Sequence, residues 1–202
     1  IYFSGTFRFG SAVIPLQNLE DIHSVQVTEG GVSLRESCSE QPGTYCVQNT
    51  SDGLSVTYYF TQSITNDRQQ FDIRYTVEGA LRIYEGGDQL WWTAIPSEHY
   101  GFSIGSSTIT VQMPANFAPR EGVDPVVTYG APADVNVRGT TVTAMATQQL
   151  TGNDYFEIRV QYPHHPNARV PSWQSDFDRQ RAFEETTKPL IDLGLIALSL
   201  LL

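Results

Sequence analysis

The chain has 202 residues, 40% of them hydrophobic and 11% aromatic, and a formal net charge of −10. That length admits one large domain or two small ones, and the apolar share excludes a disordered chain. The acidity disfavours nucleic acid as a partner, because a surface this negative repels a phosphate backbone and no basic stripe offsets the charge.

The chain opens at Ile1 with no Met, basic n-region or apolar h-region, so a further segment is expected upstream. Alternation of apolar and polar residues then predicts strands at Ile22–Thr28, Leu54–Thr61, Gln70–Glu78, Leu81–Glu85, Thr108–Met113, Ala133–Arg138, Thr140–Ala146 and Tyr155–Tyr162. In the third of these, Phe71, Ile73, Tyr75 and Val77 face one way and Asp72, Arg74, Thr76 and Glu78 the other. Turn signals such as Glu29-Gly30-Gly31, Ser51-Asp52-Gly53 and Thr65-Asn66-Asp67 separate the runs. Strands at this spacing without intervening helices predict an all-β chain, an antiparallel β-sandwich of Ig-like kind in two packed β domains. The proline-rich stretch 114–125 either divides two sheet-rich halves or is one long loop. Taken as a division it gives a β-sandwich domain over 1–114 and a second β region over 115–174, followed by a stalk helix over 175–189 and the start of a transmembrane helix over 190–202.

Candidate chemistry follows the same order. Cys38 and Cys46 flank Pro42-Gly43, a turn pair, which suits a local disulfide; two buried free thiols are the alternative. Zinc is disfavoured for want of a second Cys/His pair at ligand spacing, and no cofactor is expected. Asn49-Thr50-Ser51 matches a glycosylation sequon by a short string that chance often supplies. The acidic turns Glu85-Gly86-Gly87-Asp88 and Thr65-Asn66-Asp67 carry oxygen ligands but not the EF-hand pattern, and plain hairpin turns are the better reading. Trp91-Trp92, with Tyr84 and Tyr100 nearby, is the group most suggestive of ligand binding: in a strand one Trp enters the core and the other faces out, where it could stack on a sugar or anchor a protein. The alternative, both rings packed within or between the sandwich domains, is the better reading. Gly101-Phe102-Ser103-Ile104-Gly105 matches the nucleophile-elbow string, but a strand-like run follows where an elbow needs a helix. His164-His165 lie between prolines on a loop, where neighbouring side chains diverge too far to chelate one metal.

Near the C-terminus, Ser175 to Pro189 reads as a short polar helix capped by Ser175 or Asp176, with Phe177 and Phe183 its only large apolar residues. From Leu190 the sequence runs LIDLGLIALSLLL to Leu202, with Asp192 its one charge. Leucines all round the helix make this the first half of a membrane span. The flank from Arg169 to Asp192 holds four basic residues against five acidic ones and a single lysine, where a cytoplasmic flank would be enriched in Lys and Arg, so residues 1–189 are expected on the extracytoplasmic side.

Several phrases in sequence carry a family pattern. Gly5-Thr-Phe-Arg-Phe and Ile14-Pro-Leu precede Asp21-Ile-His-Ser-Val-Gln-Val; Phe71-Asp-Ile-Arg-Tyr-Thr-Val-Glu-Gly-Ala-Leu-Arg-Ile-Tyr leads to Asp88-Gln-Leu-Trp-Trp, then Val111-Gln-Met-Pro and Phe156-Glu-Ile-Arg-Val-Gln-Tyr-Pro. In order and spacing, over nearly the whole chain, this resembles the N-terminal extracytoplasmic domain of the YciQ-like predicted membrane proteins, a bacterial family of unknown function. The resemblance implies a signal-like segment upstream, a β-rich ectodomain, then membrane helices in the bacterial cell membrane. It carries no catalytic residues onto this chain.

The expected function is therefore a non-enzymatic extracytoplasmic domain of a membrane-anchored protein. It makes protein–protein contacts as an accessory subunit of a larger membrane complex. Its partners are membrane lipid, through the C-terminal helix, and other membrane proteins. The alternative is a carbohydrate- or envelope-binding module built on Tyr84, Trp91, Trp92 and Tyr100.

Overall fold

The computed structural model describes residues 1–97 and 103–187. The described chain is mostly β and divides into two units, Ile1–Gly79 and Ala80–Leu202. The stretch 114–125, where the sequence suggested a domain boundary, falls inside the second unit: the strand before it pairs with one after it.

The first unit holds β1 (Thr6–Ile14), β2 (Asp21–Glu29), β3 (Val32–Ser33), β4 (Arg35–Glu36), β5 (Thr44–Thr50), β6 (Gly53–Thr65) and β7 (Phe71–Glu78). They form one sheet ordered β1-β6-β5-β4 and another ordered β3-β2-β7. All pairs are antiparallel except β4 with β5. The alternation read in β7 holds, with Phe71, Ile73, Tyr75 and Val77 half-buried and Arg74, Thr76 and Glu78 exposed. Its Phe71 ring stacks 4.8 Å from Phe60 of β6 and lies 4.9 Å from Tyr58, so an aromatic core joins the sheets. Val27 and Val56 complete it at 1% and 0% exposure. Buried Glu29 accepts bonds from the Thr61 amide at 2.8 Å and from Gln69 at 3.0 Å, a carboxylate satisfied across the sheets. Gly53 sits at φ 141°, where a side chain would strike the Ile14 carbonyl, so glycine is required as the chain enters β6.

The second unit holds β8 (Leu81–Arg82), β9 (Asp88–Ile95), β10 (Thr108–Gln112), β11 (Val126–Gly130), β12 (Ala133–Arg138), β13 (Thr141–Ala146), β14 (Phe156–Tyr162) and α1 (Gln174–Ala182). A turn of π-helix, Phe183–Thr187, follows α1. The sheets are β10-β13-β12 and β11-β14-β9-β8. Val142 and Ala144 from one sheet meet Phe156, Ile158 and Val160 from the other, all 0% exposed. Each Val, Ile or Phe buried there contributes roughly 1.5–3 kcal/mol. This is a two-layer antiparallel sandwich.

The C-terminal helix departs from its sequence reading. It starts one residue earlier, with Trp173 at the N-cap and no side-chain cap bond, so Ser175 and Asp176 lie within it and cap nothing. Gln174 is fixed by tertiary contacts instead, and these set the start. No helix among the described residues is long and apolar enough to cross a membrane, and the span read at 190–202 lies outside the described residues.

Candidate functional site

Strand pairing decides where the two tryptophans go. Trp91 lies opposite Arg159 and Trp92 opposite Ile158 in the β9–β14 ladder. Alternate residues take opposite faces, so Trp92 shares the core side with Ile158 while Trp91 shares the outer side with Arg159. The two rings thus take opposite faces as expected, but both are half-buried. Tyr84 follows β8, and Tyr100 lies outside the described residues.

The outward ring of Trp91 is engaged by its own chain. It stacks on Tyr129 of β11 with centroids 5.3 Å apart and planes 13° from parallel. The Arg82 guanidinium lies 4.3 Å from the Trp91 centroid, 4.5 Å from Phe177 and 5.8 Å from Trp173, the last two brought by α1 and its N-cap. Arg82 is 5% exposed. Burial lowers its pKa, while Tyr84, Glu157 and Asp178 nearby oppose the shift. A guanidinium stays charged in a protein, so this is a buried cation held by aromatic faces, an arrangement of about 2 kcal/mol or more per face when desolvated.

Four buried side-chain atoms among the described residues have no hydrogen-bond partner: Arg82 Nε and Nη1, Gln89 Oε1 and Arg159 Nε. Arg82 pairs with Gln89 in the ladder, and Arg159 with Trp91, so all four sit on this outer face.

Helix α1 covers the same face through two polar locks. The Gln174 amide donates to the Ile83 carbonyl and accepts from the Ile83 amide, both at 2.8 Å, and so completes the free edge just past β8 as another strand would. One turn on, Asp178 accepts the Tyr84 hydroxyl at 2.6 Å. Burial first, then this bond and the Asp178 charge, push the Tyr84 phenol up to about 12. Sequence reasoning missed Arg82, Gln174 and Asp178, since nothing in a lone Arg or Gln signals a partner some ninety positions away.

The remaining candidates are accounted for locally. Asp88 is 1% exposed and accepts bonds from the Tyr84 amide at 3.2 Å, His164 Nδ1 at 2.9 Å and the His165 amide at 2.9 Å. The Glu85–Asp88 turn thus closes the β8–β9 hairpin, and its aspartate ties the His164 loop down. Cys38 and Cys46 form a disulfide. Ser103 is exposed, followed by a bridge at Ile104 and then β10, not by the helix an elbow requires. No group of three or more metal-ligating side chains occurs among the described residues.

β12 is one of the strands at a sheet edge and pairs with β13 without a bulge from Ala133 to Arg138. Its Val135 and Val137 are 42% and 46% exposed, and Met145 on β13 is 52% exposed.

These features define a disulfide-bearing, all-β pair of units whose outer aromatic face is closed by a C-terminal helix. Residues 3–162 match the predicted membrane protein (DUF2207) N-terminal domain, and the chain belongs to that family. No curated protein and no solved structure matches the chain.

Proposed function

We propose that this chain is a non-enzymatic, extracytoplasmic contact domain of a bacterial membrane protein, recruiting a protein partner along the free edge of β12. The open edge carries the reading. Natural edge strands are blunted by charged side chains, proline, bulges or a covering element; β12 has no proline or bulge, its charges Asp134 and Arg138 are of opposite sign, and between them it presents two half-exposed valines. An extended segment added there gains main-chain hydrogen bonds, with the valines setting register. The Cys38–Cys46 bond supports an oxidising compartment, and the flank from Arg169 to Asp192, with no excess of Lys and Arg over acids, supports the extracytoplasmic side. Against a carbohydrate module stands the engagement of Trp91 by Tyr129 and Arg82.

The test is native purification in mild detergent with mass spectrometry of the co-purifying proteins, repeated for an Asp134→Lys/Asn136→Lys variant, which charges the edge on the face away from Val142 and Ala144. A stoichiometric partner, lost in the variant while its melting temperature holds, is the expected result. Recovery of the native protein alone would remove the contact-domain reading.

A further inference from the structure

Between the β10 edge and the β8 edge the two sheets of the second unit part, because β8 holds two residues and leaves that flank uncovered. A cavity of 340 Å³ opens there, lined by Leu81, Leu90, Val111, Met113, Phe117 and Tyr162, with Gln112 and His165 at its exposed rim. Its walls are fixed. The Phe117 amide closes a turn onto the Pro114 carbonyl at 2.9 Å, and the Phe117 ring packs edge-on to Tyr162 and stacks 5.4 Å from His165. Asp88 anchors the His165 backbone from behind.

Small-molecule sites run from about 300 to 1,000 Å³, mostly apolar with a few polar groups, and this cavity fits the low end. Counting roughly 30 Å³ per methylene-sized group, as for a liquid water, it holds a chain of about ten carbons. Tyr162 is 8% exposed, and its hydroxyl is not among the fully buried unpartnered atoms, so it stays within reach of a guest in the cavity it lines. Burial and the nearby Asp88 charge push that phenol up to about 12, so at neutral pH it is a donor. The guest that fits is linear and apolar with one oxygen-bearing head, and for a member of a membrane-protein family the bilayer supplies that shape as the fatty-acyl chain.

We propose that this cavity binds a single fatty-acyl chain, its head accepting a hydrogen bond from Tyr162. The experiment is equilibrium dialysis of the whole chain against radiolabelled decanoic acid. Saturable binding at one site per chain is expected, weakened at least tenfold in Leu81→Trp and Val111→Trp, which fill the cavity, and unchanged in Val123→Trp, an exposed loop position. Leu81 is already 40% exposed and tolerates the larger ring even where Val111 does not. Tyr162→Phe should weaken binding about fivefold, the worth of one ordinary hydrogen bond. Absence of binding, or equal binding by wild type and both filling variants, overturns the proposal. So does self-association lost in the same variants without any decanoic acid binding, which would give the cavity to a second copy of the chain.

Discussion

Replacing Gln174 by alanine tests whether α1 is part of the second unit's stability. Gln174 is 3% exposed, and the change leaves the Ile83 amide and carbonyl both unpaired. A buried backbone group without a partner costs roughly 1–3 kcal/mol, so two set a ceiling of about 6 kcal/mol. Water reaching the β8 edge as the helix loosens brings the figure toward about 2 kcal/mol. For a unit of this size that is a fall in melting temperature of about 8 °C. The assay is built into the sequence: Trp91, Trp92 and Trp173 are the chain's 3 tryptophans, and all lie in the second unit. Tryptophan fluorescence during denaturant unfolding therefore reports that unit. Gln174→Glu keeps the acceptor but turns a carboxylate toward the Ile83 carbonyl, and should recover none of the loss. A Gln174→Ala stability within about 0.5 kcal/mol of wild type, with the Ile83 amide still protected from hydrogen exchange, would refute the reasoning.

Other perturbations have defined outcomes. Tyr84 and Tyr162 both sit near 12 against an ordinary 10.0, so the folded chain holds their protons more tightly than the unfolded one. Their contribution to stability is complete below pH 10 and is lost as pH climbs toward 12; denaturation midpoints across that range should fall less steeply in Tyr84→Phe. Reducing the Cys38–Cys46 bond, which spans a separation of 8, should cost the first unit about 2.5 kcal/mol, read by urea unfolding with and without reductant. Asp88→Ala orphans the Tyr84 and His165 amides and should cost about 2–4 kcal/mol by the same tryptophan signal, with Asp88→Asn intermediate.

Where one strand face is buried and the other wet, the sequence is readable. Gln70–Glu78 and Ala133–Arg138 were placed to within a residue, and the Glu29–Gly31 turn falls where Gly30 and Gly31 adopt positive φ. β1 escaped notice because Gly10 and Ser11 interrupt its alternation, and β9 because Asp88–Ile95 is partly buried on both faces, which erases the period. The inward and outward tryptophans were legible from local geometry alone. What covers Trp91 was not, since Arg82, Tyr129 and Phe177 converge only through strand order and helix docking. His164 shows the same limit: its neighbours suggested an idle loop, and its partner Asp88 stands 76 positions away.

The Gln174–Ile83 lock also fixes how the second unit carries load. Tension drawn on the chain from beyond residue 187 enters through α1 and meets first the Tyr84–Asp178 bond, then the two amide bonds from Gln174 to Ile83, just past a strand with only two ladder positions. The seven-position seam between β9 and β14 lies behind them. The helix is then the mechanical fuse of the unit, peeling away at low force and baring Trp91 and Arg82 while the sandwich stays intact.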